Sequence, residues 1–210
     1  MDFERARTQE QFLSRRKDIM NACMAIFESD GYEAINFKRL SQMTTIQRST
    51  IYNYYSTKDE ILIDVLAEEM RDWTADLQKM LQASVTYSIP DFSERLTNAL
   101  ASRERLLRLY SMLFDLIEPN CSFDRLVEFK KSAIPTAAML CQVISRHFPD
   151  FQMDKVVNIA NSITCLVLGL YPMSHLNEKQ IKAIEAVGTS YCTPDFETIC
   201  KTGIIALLSS

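Results

Sequence analysis

Residues 37–55, FKRLSQMTTIQRSTIYNYY, contain two short amphipathic segments separated by three or four residues. This spacing is typical of a helix-turn-helix. Leu40 and Met43 form the apolar face of the first segment, and Ile51 and Tyr54 hold the second segment against it. The polar side chains left on the second segment face outward and are of types that bond to base edges and phosphates. Spacing alone is equally compatible with an ordinary helical hairpin that has a solvated face.

The rest of the chain also favours helices. Only 4 Gly and 6 Pro occur in 210 residues, fewer than a strand-rich fold with many tight turns needs. Asn36 is expected to cap the second helix, and Thr57 to Glu60 fit a capping box that opens a long helix. Pro135 should kink or split a helix over 123–148. Apolar side chains occur all round the segment 153–171, which predicts a helix buried on every side.

These patterns together predict the fold class and its division into domains. We expect an all-α protein of about nine helices. A three-helix helix-turn-helix domain, the DNA-binding candidate, occupies residues 1–56, and a larger helical bundle, the candidate for ligand binding and dimerisation, occupies residues 57–210.

Charge is distributed unevenly between the two parts. The whole chain has a net charge of -4 and a pI of about 5.3, which excludes a uniformly basic nucleic-acid coat. Residues 5–58 nevertheless contain nine Lys and Arg and five Asp and Glu. A basic end can therefore face DNA while an acidic body points away. Arg5 and Arg7, ahead of the first helix pattern, are either a minor-groove arm or a disordered basic tail.

Composition also bears on compartment and cofactors. Residues 1–18 lack the apolar core of a secretory signal. The longest apolar run, residues 163–171, is shorter than the ~20 residues that a bilayer requires. None of the 6 cysteines forms a C-x-x-C pair, which favours buried reduced thiols over a zinc site or disulfides. We expect a cytoplasmic protein with no membrane contact, no metal and no cofactor.

Residues 19–62, IMNACMAIFESDGYEAINFKRLSQMTTIQRSTIYNYYSTKDEIL, resemble the DNA-binding domain of the tetracycline-repressor (TetR) family. The resemblance lies in the first helix with its Gly31-Tyr32-Glu33 exit, the helix-turn-helix, and the T-I-Y-x-Y-Y-x-x-K-D-E-I-L segment that leads into the fourth helix. Residues 106–130 are similar to the effector domains of some members. The resemblance implies a homodimer that binds a palindromic operator in double-stranded DNA, usually as a repressor, and is released by a small-molecule effector.

The resemblance also implies roles for single residues. Arg48 is the candidate for reading guanine, because one guanidinium can bond O6 and N7 together. Tyr52 and Tyr55 match aromatic residues whose hydroxyls reach phosphates, and Lys58 matches a phosphate-contacting lysine. The complete DNA-contact prediction comprises Lys38, Thr45, Gln47, Arg48, Ser49, Thr50, Tyr52, Asn53, Tyr55 and Lys58.

Thr45 departs from the family pattern, which usually has Gly in this turn. A β-branched residue is strongly disfavoured at positive φ. Either the turn avoids that conformation, or the recognition helix sits slightly differently from its counterparts.

Two further sets of residues follow from the family's layout. The predicted effector pocket comprises Met70, Trp73, Tyr87, Tyr110, Phe114, Met139 and His147, for each of which core packing is the alternative. The predicted dimer interface comprises Val156, Ala160, Ile163, Val167, Leu170, Phe196, Ile199, Ile204 and Leu207. Two internal core helices are the alternative interpretation of this second set.

Two rival functions remain at this stage. The chain contains 2 His and no H-x-x-x-H, G-x-S-x-G or phosphate-loop motif, so we expect no enzymatic activity. The second rival is a helical ligand-binding or scaffold protein without specific DNA binding. Thr45 and a near-neutral charge over the first 60 residues favour that alternative.

Overall fold

The computed structural model describes residues 2–188 and 191–210, with side chains described from Gln9 onward. Within these residues the regular structure is entirely helical, which confirms the all-α prediction. Short 3-10 or π turns lie at Tyr32–Ala34, Leu113–Ile117 and Glu118–Asn120. The ten α-helices of the described residues are α1 (Asp2–Asp30), α2 (Phe37–Met43), α3 (Arg48–Ile51), α4 (Lys58–Leu81), α5 (Ile89–Ala101), α6 (Glu104–Ser111), α7 (Phe123–His147), α8 (Met153–Ser174), α9 (Glu178–Val187) and α10 (Phe196–Ser209).

The ends of the first two helices follow from local chemistry. Gly31 has a φ of 82° and its N–H donates to the Phe27 carbonyl at 3.1 Å, so it ends α1 in the left-handed conformation that favours glycine. Asn36 Oδ1 accepts a hydrogen bond from the Arg39 N–H at 3.0 Å and caps α2. Both predicted boundaries are confirmed.

The start of α4 shows a modified capping box. Thr57 Oγ1 accepts from the Glu60 N–H at 3.2 Å, as predicted. The Glu60 carboxylate, however, accepts from the Ser56 N–H at 2.7 Å, one residue before the position that a standard capping box uses. Two backbone donors at this helix start are therefore satisfied reciprocally.

Helix α7 runs through Pro135 without interruption. Of the two predicted effects of this proline, splitting of the helix is wrong, and a kink stays a prediction. Pro135 lies on the exposed side, whereas Thr136 and Leu140 on the other side are buried, and this packing holds the two halves in one helix.

The chain divides into two compact units. Unit 1 consists of Met1–Ala67 with Leu113–Phe129, and unit 2 consists of Glu68–Met112 with Lys130–Ser210. In unit 1, α1 packs against α2 and α2 packs against α3. In unit 2, α10 packs against α5 and α8, and α6 packs against α8. The functional domains 1–56 and 57–210 stay a prediction, because a structural unit is not defined by what it binds.

Helix α8 is buried along one side only. Its buried residues are Val156, Ile159, Ala160, Ile163, Val167, Leu170 and Tyr171. Val157 on the opposite side is 40% exposed, so the prediction of burial on every side is wrong for a single chain. Among the described helices, α8 alone is long and apolar enough to cross a membrane, with a mean hydropathy of 1.5. Its buried side belongs to the core of unit 2, and 39% of its apolar window is buried there.

Candidate nucleic-acid interface and ligand cavity

Helix α3 presents a polar surface because its apolar residues anchor it from behind. Ile51 is completely buried and Tyr54 is nearly so. The helical turn continues beyond Ile51, since the Asn53 N–H donates to the Thr50 carbonyl at 3.0 Å and the Tyr54 N–H donates to the Ile51 carbonyl at 2.9 Å. The side chains left exposed are those of Gln47, Arg48, Ser49, Tyr52 and Asn53. Thr50 is half-buried, and Lys38 on α2 and Thr45 in the turn are exposed.

The turn between α2 and α3 is built on a threonine hydroxyl. Thr44 Oγ1 donates to the Leu40 carbonyl at 3.0 Å and accepts from the Ile46 N–H at 3.3 Å. Throughout the described part of the chain, no residue other than glycine has a positive φ. The turn therefore avoids the left-handed conformation that would strain Thr45. Of the two alternatives left open above, the first is confirmed.

Arg48 lies over its neighbour one helical turn away. Its Nη2 donates to Tyr52 Oη at 3.4 Å, and its guanidinium carbon lies 6.0 Å from the centre of that ring. The Tyr52 ring packs against Phe37, with ring centroids 4.7 Å apart. A guanidinium carries five N–H donors, so this contact orients Arg48 and leaves donors for a base edge.

Tyr55 points inward, which corrects the prediction that its hydroxyl reaches a phosphate. The side chain is 1% exposed, and its hydroxyl accepts from Arg16 Nε at 3.3 Å. Burial raises the pKa of the Tyr55 hydroxyl, and the negative charge of Asp64 adds to this effect. A phosphate outside the protein cannot approach this oxygen, so Tyr55 is a core residue of unit 1.

Lys58, at the first position of α4, is engaged within unit 1. Its Nζ donates to the Tyr32 carbonyl at 3.0 Å and lies 3.6 Å from the centre of the Tyr32 ring. Glu33 is 3.8 Å from the same ammonium. An ammonium carries three N–H donors, and the Tyr32 carbonyl already uses one of them. Phosphate contact by Lys58 therefore stays a prediction that relies on the other two.

Helix α1 adds residues that sequence reasoning missed. An open groove of about 410 Å³ lies beside the helix-turn-helix and is lined by Gln11, Ser14, Arg15 and Asp18 of α1 together with Thr45, Ile46, Gln47 and Thr50. The signal available in the sequence was the helical spacing of the four α1 residues on one polar face. The side chains of Arg5 and Arg7, considered above as a minor-groove arm, lie outside the described residues.

Charged side chains hold the carboxyl end of residues 48–55 in place. Arg125, near the start of α7, donates to the Tyr54 carbonyl, and its Nη1 lies 3.5 Å from Asp64. The same Asp64 carboxylate pairs with Arg16. No local pattern predicts the contact between Arg125 and Tyr54, because 71 residues separate them along the chain.

A cavity of about 70 Å³ lies within unit 2. Its lining comprises Met70, Trp73, Leu100, Leu106, Leu107, Tyr110, Ala133, Thr136, Ala137, Leu140, Ile163, Thr164 and Val167. Three of the predicted pocket residues line this cavity, namely Met70, Trp73 and Tyr110.

The other four predicted pocket residues lie outside this lining. The rings of Tyr87 and His147 stack on each other with centroids 4.3 Å apart. His147 Nδ1 accepts from the Tyr87 N–H at 3.1 Å, and Nε2 lies 3.0 Å from the Met80 carbonyl. Burial lowers the pKa of His147. Phe114 belongs to unit 1 and is exposed, and Met139 is half-buried on α7.

The predicted dimer residues face two directions. Seven of them are buried within the chain's own unit 2, because they form the inner sides of α8 and α10: Val156, Ala160, Ile163, Val167, Leu170, Phe196 and Ile204. Ile199 is exposed and Leu207 is half-buried on the outer side of α10. Val157 and Leu168 take the corresponding outer positions on α8. An interface on these helices therefore requires the outer residues rather than the seven inner ones.

The cysteines form no bonded pair among the described residues. Cys23 and Cys200 are buried, as predicted, and burial raises the pKa of the Cys23 thiol to about 12. Cys165 and Cys192 are exposed, so the prediction of burial is wrong for these two. No group of three or more His, Cys, Asp or Glu placed to hold a metal occurs in the described part of the chain.

A helix-turn-helix with an exposed polar second helix, attached to a helical bundle that encloses a cavity, is the design of a ligand-responsive DNA-binding protein. Residues 67–209 match the family model described as "Tetracyclin repressor-like, C-terminal domain". The chain belongs to the TetR family, whose members are transcriptional regulators rather than enzymes, and which bind DNA as dimers under the control of small molecules.

Curated relatives match shorter stretches. The chain is 31% identical over 72 residues to the HTH-type transcriptional repressor KstR of Mycobacterium tuberculosis (strain ATCC 25618 / H37Rv), covering 34% of this chain and 33% of that protein. It is 29% identical over 94 residues to KstR of Mycolicibacterium smegmatis (strain ATCC 700084 / mc(2)155), covering 44% and 46%. The chain thus spans between about a third and about a half of the length of these relatives.

Solved structures share the fold over nearly the whole chain. The TetR family regulator PfmR of Thermus thermophilus superposes with a TM-score of 0.61 at 14% identity, covering 91% of this chain and 97% of PfmR. The fatty acid degradation regulator FadR of Bacillus halodurans has a TM-score of 0.58 at 14% identity, covering 92% and 94%. At this identity the likeness concerns the fold alone.

Proposed function

We propose that this protein is a cytoplasmic, homodimeric transcriptional repressor that binds a palindromic operator through α3 and leaves it when a small molecule occupies the cavity of unit 2. The main support for this proposal is the exposed polar side of α3. The buried side chain of Ile51 anchors the opposite side of the helix. Its Arg, Gln, Ser and Asn side chains are of the types that read base edges in the major groove. The KstR relatives, which are helix-turn-helix repressors, support the same role.

We propose a dimer because helix α3 is short. Helix α3 comprises only Arg48–Ile51, so one copy reads a few base pairs at most. Two copies related by a two-fold axis double the site and match a palindrome. We assign the subunit contact to α8 and α10, around Val157 and Ile199, which are exposed, and Leu168 and Leu207, which are half-buried.

Effector control is proposed as a shift between two populations. A ligand that binds one conformation better than the other shifts the chain toward that conformation, whatever the order of events. Residues from α4 and α7 line the cavity, and both helices continue along the chain into unit 1. We propose that the ligand-bound dimer spaces its two α3 helices wrongly for successive major grooves.

The rival is a ligand-binding or scaffold protein of the same fold that does not recognise a DNA sequence. In-vitro selection separates the two functions. The full chain is incubated with random duplexes at physiological salt, and the retained duplexes are sequenced and titrated over a range of salt concentrations. We expect an enriched motif whose complex survives at physiological salt while log K falls linearly with log [salt]. Retention of unrelated sequences, lost as salt rises, is the outcome expected of the scaffold.

A further inference from the structure

We infer that the cavity of unit 2 binds an uncharged, largely apolar molecule that carries a hydroxyl group. This inference names the chemical class of the effector and rests on the proposed function. The cavity has a volume of about 70 Å³, and its lining comes from α4, α5, α6, α7 and α8.

The lining contains no side chain that is charged at neutral pH. Leucines from three helices, such as Leu100, Leu107 and Leu140, form much of the wall, and Met70 and Ile163 extend it. An ionised ligand would lose its hydration here without gaining an opposite charge, which is strongly unfavourable in an apolar site. The walls therefore select against carboxylates and ammonium groups.

The two threonine hydroxyls of the lining offer lone pairs rather than hydrogens. Thr164 Oγ1 donates its hydrogen to the Ala160 carbonyl at 3.0 Å. Thr136 Oγ1 lies 3.0 Å from the Ser132 carbonyl and 2.7 Å from Thr74 Oγ1. Since each hydroxyl carries one hydrogen, both lining threonines use theirs within the protein and can only accept from a ligand.

A ligand hydroxyl matches this arrangement, because it donates to a threonine oxygen and is itself neutral. A carboxylate has no hydrogen to donate and would meet those lone pairs with its own. The other polar groups of the lining, the Trp73 indole N–H and the Tyr110 hydroxyl, are neutral as well. An alcohol is therefore favoured over an anion by charge throughout the lining, and by hydrogen bonding at the two threonines.

The chain contains its own reporter for this site. Trp73 lines the cavity and is the 1 Trp in the sequence, so intrinsic fluorescence excited at the indole reports on the cavity. The full chain is titrated with 1-decanol, decanoate and decyltrimethylammonium, which share one apolar tail and differ in head group. Free tryptophan serves as the control for quenching in solution.

We expect a saturable fluorescence change with 1-decanol at a concentration at least tenfold lower than with either ion. Ala133→Phe, which fills the cavity, should abolish the change while far-UV circular dichroism and melting temperature show that the variant is folded. Thr136→Val should weaken 1-decanol binding several-fold. Thr86→Val, which alters a threonine outside the lining, should leave it unchanged.

Two outcomes would overturn the inference. Saturation by decanoate or decyltrimethylammonium at the same or lower concentration than by 1-decanol would show that the site accepts charge. Absence of saturation with all three, in a folded protein, would show that the space is a packing defect. If 1-decanol binds but in-vitro selection recovers no DNA motif, the inferred ligand class stands and the proposed DNA-binding function is rejected. Failure of the inference and failure of the proposed function are therefore distinguishable.

Discussion

At the residue scale, the proposed sequence preference depends first on Arg48. It stands exposed on α3, and its contact with Tyr52 at 3.4 Å orients the guanidinium along the helix surface. Tyr55, only seven positions further on, is 1% exposed and contacts Arg16 instead. Both residues were predicted to contact DNA, Arg48 at a base and Tyr55 at a phosphate. Burial excludes Tyr55, whereas base reading by exposed Arg48 stays a prediction.

Arg48→Ala should reduce affinity for the selected duplex by ~1–3 kcal/mol, roughly 5- to 150-fold, and relax the preference at one base pair of each half-site. Fluorescence anisotropy with the selected duplex and its single-base variants measures both effects. Arg71→Ala removes the same charge from an exposed arginine of unit 2 and is the matched control. Unchanged affinity and unchanged base preference in the Arg48 variant would show that Arg48 on α3 does not read the operator sequence.

His147 should make stability depend on pH. Burial holds its folded-state pKa below the ordinary 6.5, and both ring nitrogens are already placed against backbone groups when the ring is neutral. The unfolded chain therefore binds this proton more readily than the folded chain. The stabilisation is complete above pH 6.5 and is lost as pH falls through the folded-state pKa.

Urea denaturation between pH 7.5 and 5 measures this dependence. We expect the free energy of unfolding of the natural chain to fall over the acidic part of that range. His147→Gln, which cannot titrate, should show a flatter profile across the same range. Parallel profiles for the two proteins would mean that His147 is not the group responsible.

At the level of elements, local chemistry explains most helix boundaries. Gly31 and Asn36 act through their own backbone or side chain, so the sequence alone predicts where α1 ends and α2 begins. The burial of Tyr55 depends on Arg16, which lies 39 positions away, and no periodicity reveals such a pairing. Periodicity also overestimated the burial of α8, because an apolar surface reserved for a partner looks the same in sequence as a core surface.

Asn36 supports the element that carries α3, because it caps α2 through the Arg39 N–H. Asn36→Ala should lower the free energy of unfolding by ~1 kcal/mol. Asn36→Asp keeps an acceptor oxygen at the same place and should change stability by much less. Chemical denaturation compares the three proteins, and an equal loss in both variants would show that the cap is not the cause.

At the level of the whole molecule, the outer sides of α8 and α10 carry apolar residues that their own chain does not cover. Val157 is 40% exposed and Ile199 is 42% exposed. Charged substitutions there should separate the subunits, because an unpaired charge in an apolar contact is strongly unfavourable.

Ile199→Glu combined with Val157→Glu should convert the dimer to monomers in sedimentation-velocity experiments. Val85→Glu, at a position that is 61% exposed before α5, is the matched control and should sediment as the unaltered protein does. A double variant that remains dimeric would move the interface to another surface.

A pair of these chains is proposed to present two α3 helices to one duplex, and the motif recovered by in-vitro selection tests this arrangement. We predict an inverted repeat bound by two chains, and a loss of affinity when about half a helical turn, ~5 base pairs, is inserted between the half-sites. A single unrepeated motif, or binding that is indifferent to the insertion, would contradict the account.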